Sequence, residues 1–261
     1  MSGPLLGKLD PTSDRAVFRQ IADHLRTAIE RGKLAQGEKI PSESQLMAHY
    51  DVARMTIRNA LQLLQSEGLI VAEHGRGVFV RTRPPVNRLA SDRFARRHRD
   101  EGKAAFIAEA EAAGVTPSVD SIRVREVHPT GDIAQRLGLA SDAAVISRTR
   151  RYLINGHPVE MAVSYVPADI ARGTRIAESD TGPGGIYARL EERGHLLEHF
   201  SEEIRSRMPL RDEARALRLA PGVPVFRLIR TAFDTAGRAV EVCDTIMSSD
   251  AYVLCYELPA R

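Results

Sequence analysis

The chain has 261 residues, which fits one large domain or two domains of ordinary size. Hydrophobic residues make up 43% and charged residues 27%, so the chain can bury a core, while no apolar run approaches the roughly 18–20 residues that a membrane helix needs. The two cysteines exclude a disulfide framework and a cysteine-rich zinc site, and the net charge is only +3.

The charge is unevenly spread along the chain. Residues 1–83 carry 12 basic and 9 acidic side chains, residues 84–103 carry 6 and 3, and the remaining residues carry 19 and 22. A basic front on a mildly acidic body suits a nucleic-acid-binding module joined to a second domain. The first residues lack a basic segment followed by an apolar one, so no signal peptide is expected and the predicted location is cytoplasmic.

Three helices are predicted at the front of the chain. Apolar residues at helical spacing predict the first over 17–31. The second begins at Ser42, where Ser42 and Gln45 form a capping box, and ends near Tyr50. The third runs from about residue 53 to 67. A short helix, a tight turn and a longer helix form the spacing of a helix-turn-helix.

One face of the third helix is predicted to be buried and the opposite face to read DNA. On a helical wheel the apolar side is formed by Ile57, Ala60, Leu61 and Leu64. The outward side is formed by Met55, Arg58, Asn59, Gln62 and Gln65, flanked by Arg54 and Thr56. Such side chains match the donors and acceptors of the major groove, with Arg54 and Arg58 for guanine or phosphate and Met55 for a thymine methyl group. The alternative is an ordinary solvent-facing surface. The capped short helix before this helix and the basic hairpin after it favour the DNA-reading interpretation.

Two short apolar runs, 69–71 and 78–80, flank a glycine-rich tip and predict a β-hairpin, the wing of a winged helix. The tip residues His74, Gly75 and Arg76 would lie along a phosphate strand or enter the minor groove, because glycine lets the backbone approach closely. A plain turn is the alternative.

Residues 84–103 contain two prolines and the basic cluster 96–99, which we interpret as a linker with some helix. Helices and antiparallel hairpins follow over 104–261 and predict an α+β domain. The expected helices cover 104–114, 186–194 and 211–219, and the expected hairpins turn at 155–156 and 236–237, while 199–208 is a strand or a helix.

In a strand, Arg148 and Arg150 point to the same side and could hold an anion, unless they lie on the solvent face of the sheet. A two-residue turn at 155–156 would place Arg150 opposite Met161. A three-residue loop would place Arg150 opposite Glu160, so that Arg148, Arg150 and Glu160 share one face of the sheet.

His195 and His199 have the i, i+4 spacing of zinc ligands, but Gly194 ends the predicted helix there and no third ligand is defined. No nucleophile lies beside a base. We therefore predict no metal, no cofactor and no catalytic residue.

The front of the chain resembles the GntR family of bacterial regulators over about residues 17–80. The matching motifs are Pro41-Ser42-Glu43, Leu46, Val52-x-Arg54-x-Thr56-x-Arg58, Leu61, Glu67-Gly68 and His74-Gly75-Arg76-Gly77. The resemblance implies DNA contacts from Arg54, Thr56, Arg58, His74 and Gly75, with Ser44 as a phosphate contact. Ala53 stands where the family often has Ser or Thr, so a helix cap and a hydroxyl are missing.

The back of the chain, about 104–258, resembles the effector domain of the HutC branch, which has a chorismate-lyase-like fold, binds a small molecule and forms the dimer. The matching pieces are Arg148-x-Arg150, Asn155-Gly156-x-Pro158, Tyr165-x-Pro167, Ile186-Tyr187-x-x-Leu190-Glu191, and Gly237 followed by Glu241. The resemblance implies effector contacts from Arg148, Arg150, Glu160, Tyr187 and Glu241. Because Glu160 joins the pocket in that branch, we predict the three-residue loop.

Sugar-phosphate sensors of that branch tend to have hydroxyls where this chain has Ala105, Gly185 and Met247. The expected effector is therefore anionic but not an amino-sugar phosphate. The function expected is that of a homodimeric repressor, released from or tightened on a palindromic operator by this effector. The alternatives are a constitutive repressor with a vestigial pocket and an enzyme fused to a DNA-binding domain. The expected domains are 1–83 and 104–261, joined by 84–103.

Overall fold

The computed structural model describes residues 6–73, 75–81, 86–89, 93–140 and 142–258. Contacts divide the chain into two compact units, one of residues 1–83 with 220–223 and one of residues 84–219 with 224–261. No helix in the described ranges is both long and apolar enough to cross a membrane.

The N-terminal unit contains three helices followed by a hairpin, as predicted. The helices are α1 (Val17–Glu30), α2 (Glu43–Tyr50) and α3 (Arg54–Ser66), and the strands are β1 (Ile70–Glu73) and β2 (Gly77–Val80). The two strands are antiparallel, with Ile70 opposite Val80 and Glu73 opposite Gly77. The apolar faces of the helices meet in one core, in which Ile21, Leu25, Leu46, Ile57 and Leu64 are completely buried.

The start of α2 is capped by side chains, and the start of α3 is not. The amide of Gln45 donates to the Ser42 hydroxyl (3.3 Å), and the amide of Ser42 donates to Gln45 Oε1 (2.8 Å). Ala53 occupies the N-cap of α3 with an extended backbone (φ −65°, ψ 152°) but no side-chain acceptor. The first-turn amides of α3 therefore lack the oxygen that a serine at this position would supply.

Ala53→Ser is expected to stabilise α3 by about 1 kcal/mol, because the hydroxyl would accept from a first-turn amide without a change of backbone. Amide hydrogen exchange of α3, read together with thermal unfolding, measures the effect. Ser42→Ala serves as the reverse control and should destabilise α2 by a similar amount. Unchanged exchange in Ala53→Ser would contradict the assignment of this cap.

The C-terminal unit is built on a six-stranded antiparallel sheet. Its strands, in the order in which they lie side by side, are β4 (Pro117–Val127), β5 (Val145–Ile154), β6 (His157–Pro167), β9 (Ala239–Ser248), β8 (Val225–Asp234) and β7 (Leu197–Arg207). A separate parallel pair joins β3 (Val86–Leu89) to β10 (Tyr252–Cys255). The segment 199–208, left open between strand and helix, lies almost entirely in β7.

Short helices connect and cover these strands. They are α4 (Arg96–Asp100), α5 (Ala105–Ala112), α6 (Gly131–Leu137), α7 (Ala168–Ala171), α8 (Gly185–Glu192) and α9 (Arg211–Ala216), with a 3₁₀ turn at Arg175–Ala177. The α+β class expected from the sequence is confirmed.

The β5–β6 hairpin corrects the predicted register. Asn155 and Gly156 form a two-residue turn, both with positive φ (50° and 78°), so the predicted three-residue loop is wrong. Arg150 lies opposite Ala162, and opposite neither Glu160 nor the Met161 that a two-residue turn without a bulge would give. The reason is a bulge in β6, which moves the register by one residue and pairs Tyr152 with Glu160. Glu160 therefore lies on the same face of the sheet as Arg148 and Arg150, but because of the bulge and not because of a three-residue loop.

Residues 84–103 were expected to form a linker, but the described part of this segment belongs to folded structure. Val86 is buried in an apolar cluster with Tyr252, and β3 pairs with β10 along its whole length. The side chain of Arg93 is also buried. Local sequence reading missed this because the strand that pairs with β3 lies more than 160 residues further along the chain.

Candidate nucleic-acid interface and effector pocket

Helix α3 presents the predicted outward side chains. Its apolar residues Ile57, Ala60, Leu61 and Leu64 are buried, as expected. Met55 is 62% exposed, and the side chains of Arg54 and Arg58 are 59% and 52% exposed. Thr56 is half-buried beside them. These residues form one solvent-facing surface, which we call the reading face.

Helix α2 contributes two polar residues next to the reading face. Ser44, the second residue of α2, is exposed. Glu43, the first residue, accepts from Arg58 Nε (3.2 Å) and lies 3.7 Å from Arg54 Nε. Glu43 belongs to a matching motif, but the sequence analysis gave it no role.

The described residues of the wing tip are exposed and include a cation. Gly75 has a φ of +73° and is exposed, and Arg76 forms an ion pair with Glu73 and lies 5.5 Å from the centre of the Phe79 ring. Lys39 pairs with Phe79 in an isolated bridge, and its Nζ lies 5.9 Å from the same ring. Lys39 is thus a cation beside the wing, contributed by the segment before α2, that the sequence analysis missed. The predicted contact His74 lies outside the described residues.

A pocket of about 280 Å³ lies in the C-terminal unit, lined by residues of β5, β8 and β9 and by the first residues of α5 and α8. Four predicted effector residues line it: Arg148, Arg150, Tyr187 and Glu241. Ala105 and Gly185, two positions where hydroxyls are absent, also line it.

Glu160, the fifth predicted residue, is not brought to this pocket. It is buried beside the cavity, where it accepts a hydrogen bond from the Tyr252 hydroxyl (3.0 Å). Met247 lies opposite it on β9 and is buried in an apolar cluster.

The two arginines of β5 that line the pocket, Arg148 and Arg150, are held by oxygens of the protein. Arg148 donates to the carbonyls of Ile176 (2.9 Å), Glu178 and Ser179 (3.1 Å). Burial, and the neighbouring charge of Arg150, lower the pKa of Arg148 to about 10. Arg150 donates to the hydroxyls of Tyr152 (2.6 Å) and Ser164 (2.7 Å).

Two further arginines reach the pocket from outside the predicted set. Arg230 on β8 donates from Nε to the Tyr187 hydroxyl (2.9 Å), and its guanidinium lies 4.5 Å from the centre of the Phe94 ring. Arg93, which precedes α4, lines the pocket and pairs with the buried carboxylate of Glu109. Burial raises the pKa of Tyr187 well above its usual value, so its hydroxyl stays neutral at physiological pH.

Some buried polar atoms of the pocket lack a partner. Among the described residues, Glu241 Oε2 and Arg148 Nε make no hydrogen bond within the protein. A buried acceptor or donor without a partner is costly, so a side-chain movement that brought a polar ligand or water to either atom would be favoured.

Buried charges form a network behind the pocket. Glu202 on β7 accepts from Arg88 (2.6 Å) and from the Tyr256 hydroxyl (2.5 Å), and it lies 3.5 Å from Arg230. Burial alone would raise the pKa of Glu202, but the charges of Arg88 and Arg230 outweigh burial and lower it. Glu202 is therefore an ionised bridge between β3 and a residue of the pocket.

The histidine pair considered for zinc is separated by the fold. His195 precedes β7 and bonds Asp234 (2.8 Å), whereas His199 lies within β7 and stacks on Phe233. Within the described ranges no group of three His, Cys, Asp or Glu side chains could hold a metal ion. Cys243 and Cys255 are free thiols.

Comparison with protein families assigns both ends of the chain. Residues 18–80 match the model described as bacterial regulatory proteins, gntR family, and residues 112–253 match the UTRA domain. The chain belongs to the GntR family. It is a DNA-binding transcriptional regulator of the branch that combines the GntR helix-turn-helix with a UTRA effector-binding domain.

Relatives and solved structures agree with this assignment. An uncharacterised HTH-type transcriptional regulator of Streptomyces coelicolor is 30% identical over 246 residues, covering 92% of this chain and 91% of that protein. The HTH-type transcriptional repressor NagR of Bacillus subtilis is 25% identical, covering 92% and 93%. A crystal structure of a GntR-family regulator superposes with a TM-score of 0.65 at 25% identity, covering 95% of this chain and 99% of that one.

In this GntR-family chain, Glu202→Gln is expected to destabilise the C-terminal unit by about 3 kcal/mol, because Arg88 would keep its buried charge without a counter-ion. Chemical unfolding of both proteins at several pH values measures the difference. The folded pKa of Glu202 is lowered, so its contribution is complete above about pH 5 and declines as the pH falls through that lowered value.

Glu203→Gln is the matched control for this measurement. Glu203 is the next residue, but it pairs with Arg136 at the surface, where its side chain is 47% exposed. An exposed pair contributes about 0–1 kcal/mol. Equal losses in the two variants would show that burial of the Glu202 network does not matter.

Proposed function

We propose that this GntR-family regulator is a homodimeric repressor in the cytoplasm whose operator binding is controlled by a small anionic effector. The observation that carries the proposal is the gathering of Arg93, Arg148, Arg150 and Arg230 around one pocket. Guanidiniums in a site of low dielectric favour a carboxylate or phosphate group. As a dimer, the protein would place two α3 helices in successive major grooves of a palindromic operator.

The effector is expected to act on the chain segment that follows the DNA-binding unit. Arg93 lines the pocket, and the adjacent Phe94 stacks on Phe200 (4.3 Å) and contacts Tyr187 edge-on (5.9 Å). A ligand that contacts Tyr187 or Arg230 would therefore change the surroundings of Phe94, which touches both side chains. To move the protein from mostly bound to mostly released, the ligand must prefer one state by roughly 5 kcal/mol.

The reading face supports the assignment of DNA contacts to Arg54, Met55, Thr56 and Arg58, with Ser44 and the wing residues Gly75, Arg76 and His74 at the phosphates. Arg54 and Arg58 are exposed, cationic and four residues apart on one helix face. Bidentate contacts of arginine to guanine are the commonest specific contacts in the major groove.

An Arg54→Ala/Arg58→Ala variant should bind the DNA upstream of the protein's own gene at least about 30-fold more weakly, since each base-reading arginine contributes about 1–3 kcal/mol. Titration at two salt concentrations measures affinity and its salt dependence. Arg19→Ala/Arg31→Ala removes the same charge from α1 and its end and should lose much less. If wild type binds this fragment no better than random DNA, a fragment selected from genomic DNA replaces it. Equal binding of the selected fragment by both variants would overturn the assignment.

The composition of the pocket predicts which compounds stabilise the protein. Ala105 and Gly185 line it without hydroxyls, so amino-sugar phosphates should bind weakly. Other phosphorylated or carboxylated metabolites at millimolar concentration should raise the melting temperature, because a ligand that binds only the folded state stabilises it. Calorimetry would confirm any hit. If no anionic compound has an effect, the pocket is vestigial and the repressor constitutive, whereas tight binding of an amino-sugar phosphate would overturn the predicted class.

A further inference from the structure

Glu43, the first residue of helix α2, contacts both arginines of the reading face. Its Oε1 lies 3.2 Å from Arg58 Nε, and its Oε2 lies 3.4 Å from the same nitrogen and 3.7 Å from Arg54 Nε. The Glu43 side chain is 35% exposed, so its carboxylate is partly open to solvent. One carboxylate thus bridges two guanidiniums of the neighbouring helix.

Glu43 is not needed to cap its own helix. The capping box of α2 is made by Ser42 and Gln45, whose mutual hydrogen bonds leave the Glu43 side chain free to point elsewhere. A carboxylate in the first turn of a helix is stabilised by the helix dipole, so Glu43 can hold its negative charge there at little cost.

The contacts from Glu43 meet the arginines on their Nε side. A guanidinium that is held at Nε still presents its two terminal nitrogens, and these two donors match O6 and N7 of guanine. A free arginine side chain would have to be ordered on binding, which costs affinity. Contact with Glu43 therefore restricts Arg54 and Arg58 before DNA arrives and lowers that cost.

The charge of Glu43 adds a second effect. A carboxylate beside the arginines repels phosphate oxygens and satisfies the guanidiniums only in part. Binding to the backbone alone is therefore disfavoured, while a correctly placed guanine can still be reached. Both effects raise affinity for the specific site relative to random DNA.

We propose that Glu43 is a positioning residue for DNA recognition, which orients Arg54 and Arg58 toward guanine bases and so sets sequence specificity. The inference rests on the proposed base contacts of these two arginines. It predicts that the loss of Glu43 lowers discrimination between sequences rather than overall attraction to DNA.

The test uses full-length Glu43→Gln and measures its affinity for a site selected by wild type from random-sequence DNA and for random DNA of equal length. The ratio of the two affinities should fall at least tenfold, with random-DNA binding unchanged or slightly tighter. Glu30→Gln is the charge-matched control, since Glu30 is exposed at the end of α1. It should leave the ratio within twofold of wild type. Glu43→Asp, which keeps the charge on a shorter side chain, should recover part of the ratio.

A double-mutant cycle shows whether Glu43 acts through the arginines. In an Arg54→Ala/Arg58→Ala background, Glu43→Gln should not lower the ratio further. An undiminished loss in that background, or a ratio for Glu43→Gln within twofold of wild type, would overturn the proposal. So would a gain in operator affinity without a change of base preference, because Glu43 would then merely compete with DNA. If the arginine variant itself keeps full specificity, the proposed base contacts fail first.

Discussion

Buried guanidiniums impose the main constraint on the C-terminal unit, because a buried charge that donates to no oxygen strongly destabilises the fold. Arg88, Arg148 and Arg230 are all at least nine-tenths buried. Arg148 is matched by three backbone carbonyls, whereas Arg88 and Arg230 share the carboxylate of Glu202. The carbonyls belong to the turn near residue 176, so the position of that turn depends on the arginine as much as the arginine depends on the turn.

The same constraint joins the pocket to the start of the C-terminal unit. Glu202 cannot leave Arg88 without exposing a buried charge, and Arg230, its other partner, contacts Tyr187 in the pocket wall. A ligand that pairs with Arg230 would therefore change the interaction of Glu202 with Arg88 on β3. Neutral carbonyls bind a guanidinium less strongly than a carboxylate or phosphate does, so an anion can also compete for Arg148. In the proposed function, regulation is an exchange of partners within a charge network that is already buried.

The N-terminal unit could be predicted from the sequence because each of its sequence signals is local. The capping box at Ser42, the apolar spacing of α3 and the glycine-rich wing each lie within a few residues, and the helices and strands occur where expected. Four of the five predicted effector residues line one pocket, again because each belongs to a short motif. The missed features depend on distant partners. Nothing near Val86 announces a strand whose neighbour is residue 252, and the bulge in β6 cannot be inferred from a turn.

The two units use arginine in opposite ways, and the difference follows from solvent. In the pocket, desolvation makes every charge costly, so guanidiniums are held by several oxygens each and can respond only when a better anion appears. On the reading face, water screens Arg54 and Arg58, and the single carboxylate of Glu43 restrains them weakly. Such a restraint suits a surface that must keep its arginines oriented while their terminal nitrogens stay open to guanine. Strong restraint suits the proposed effector pocket, where each guanidinium keeps its partners in the protein until an anion displaces them.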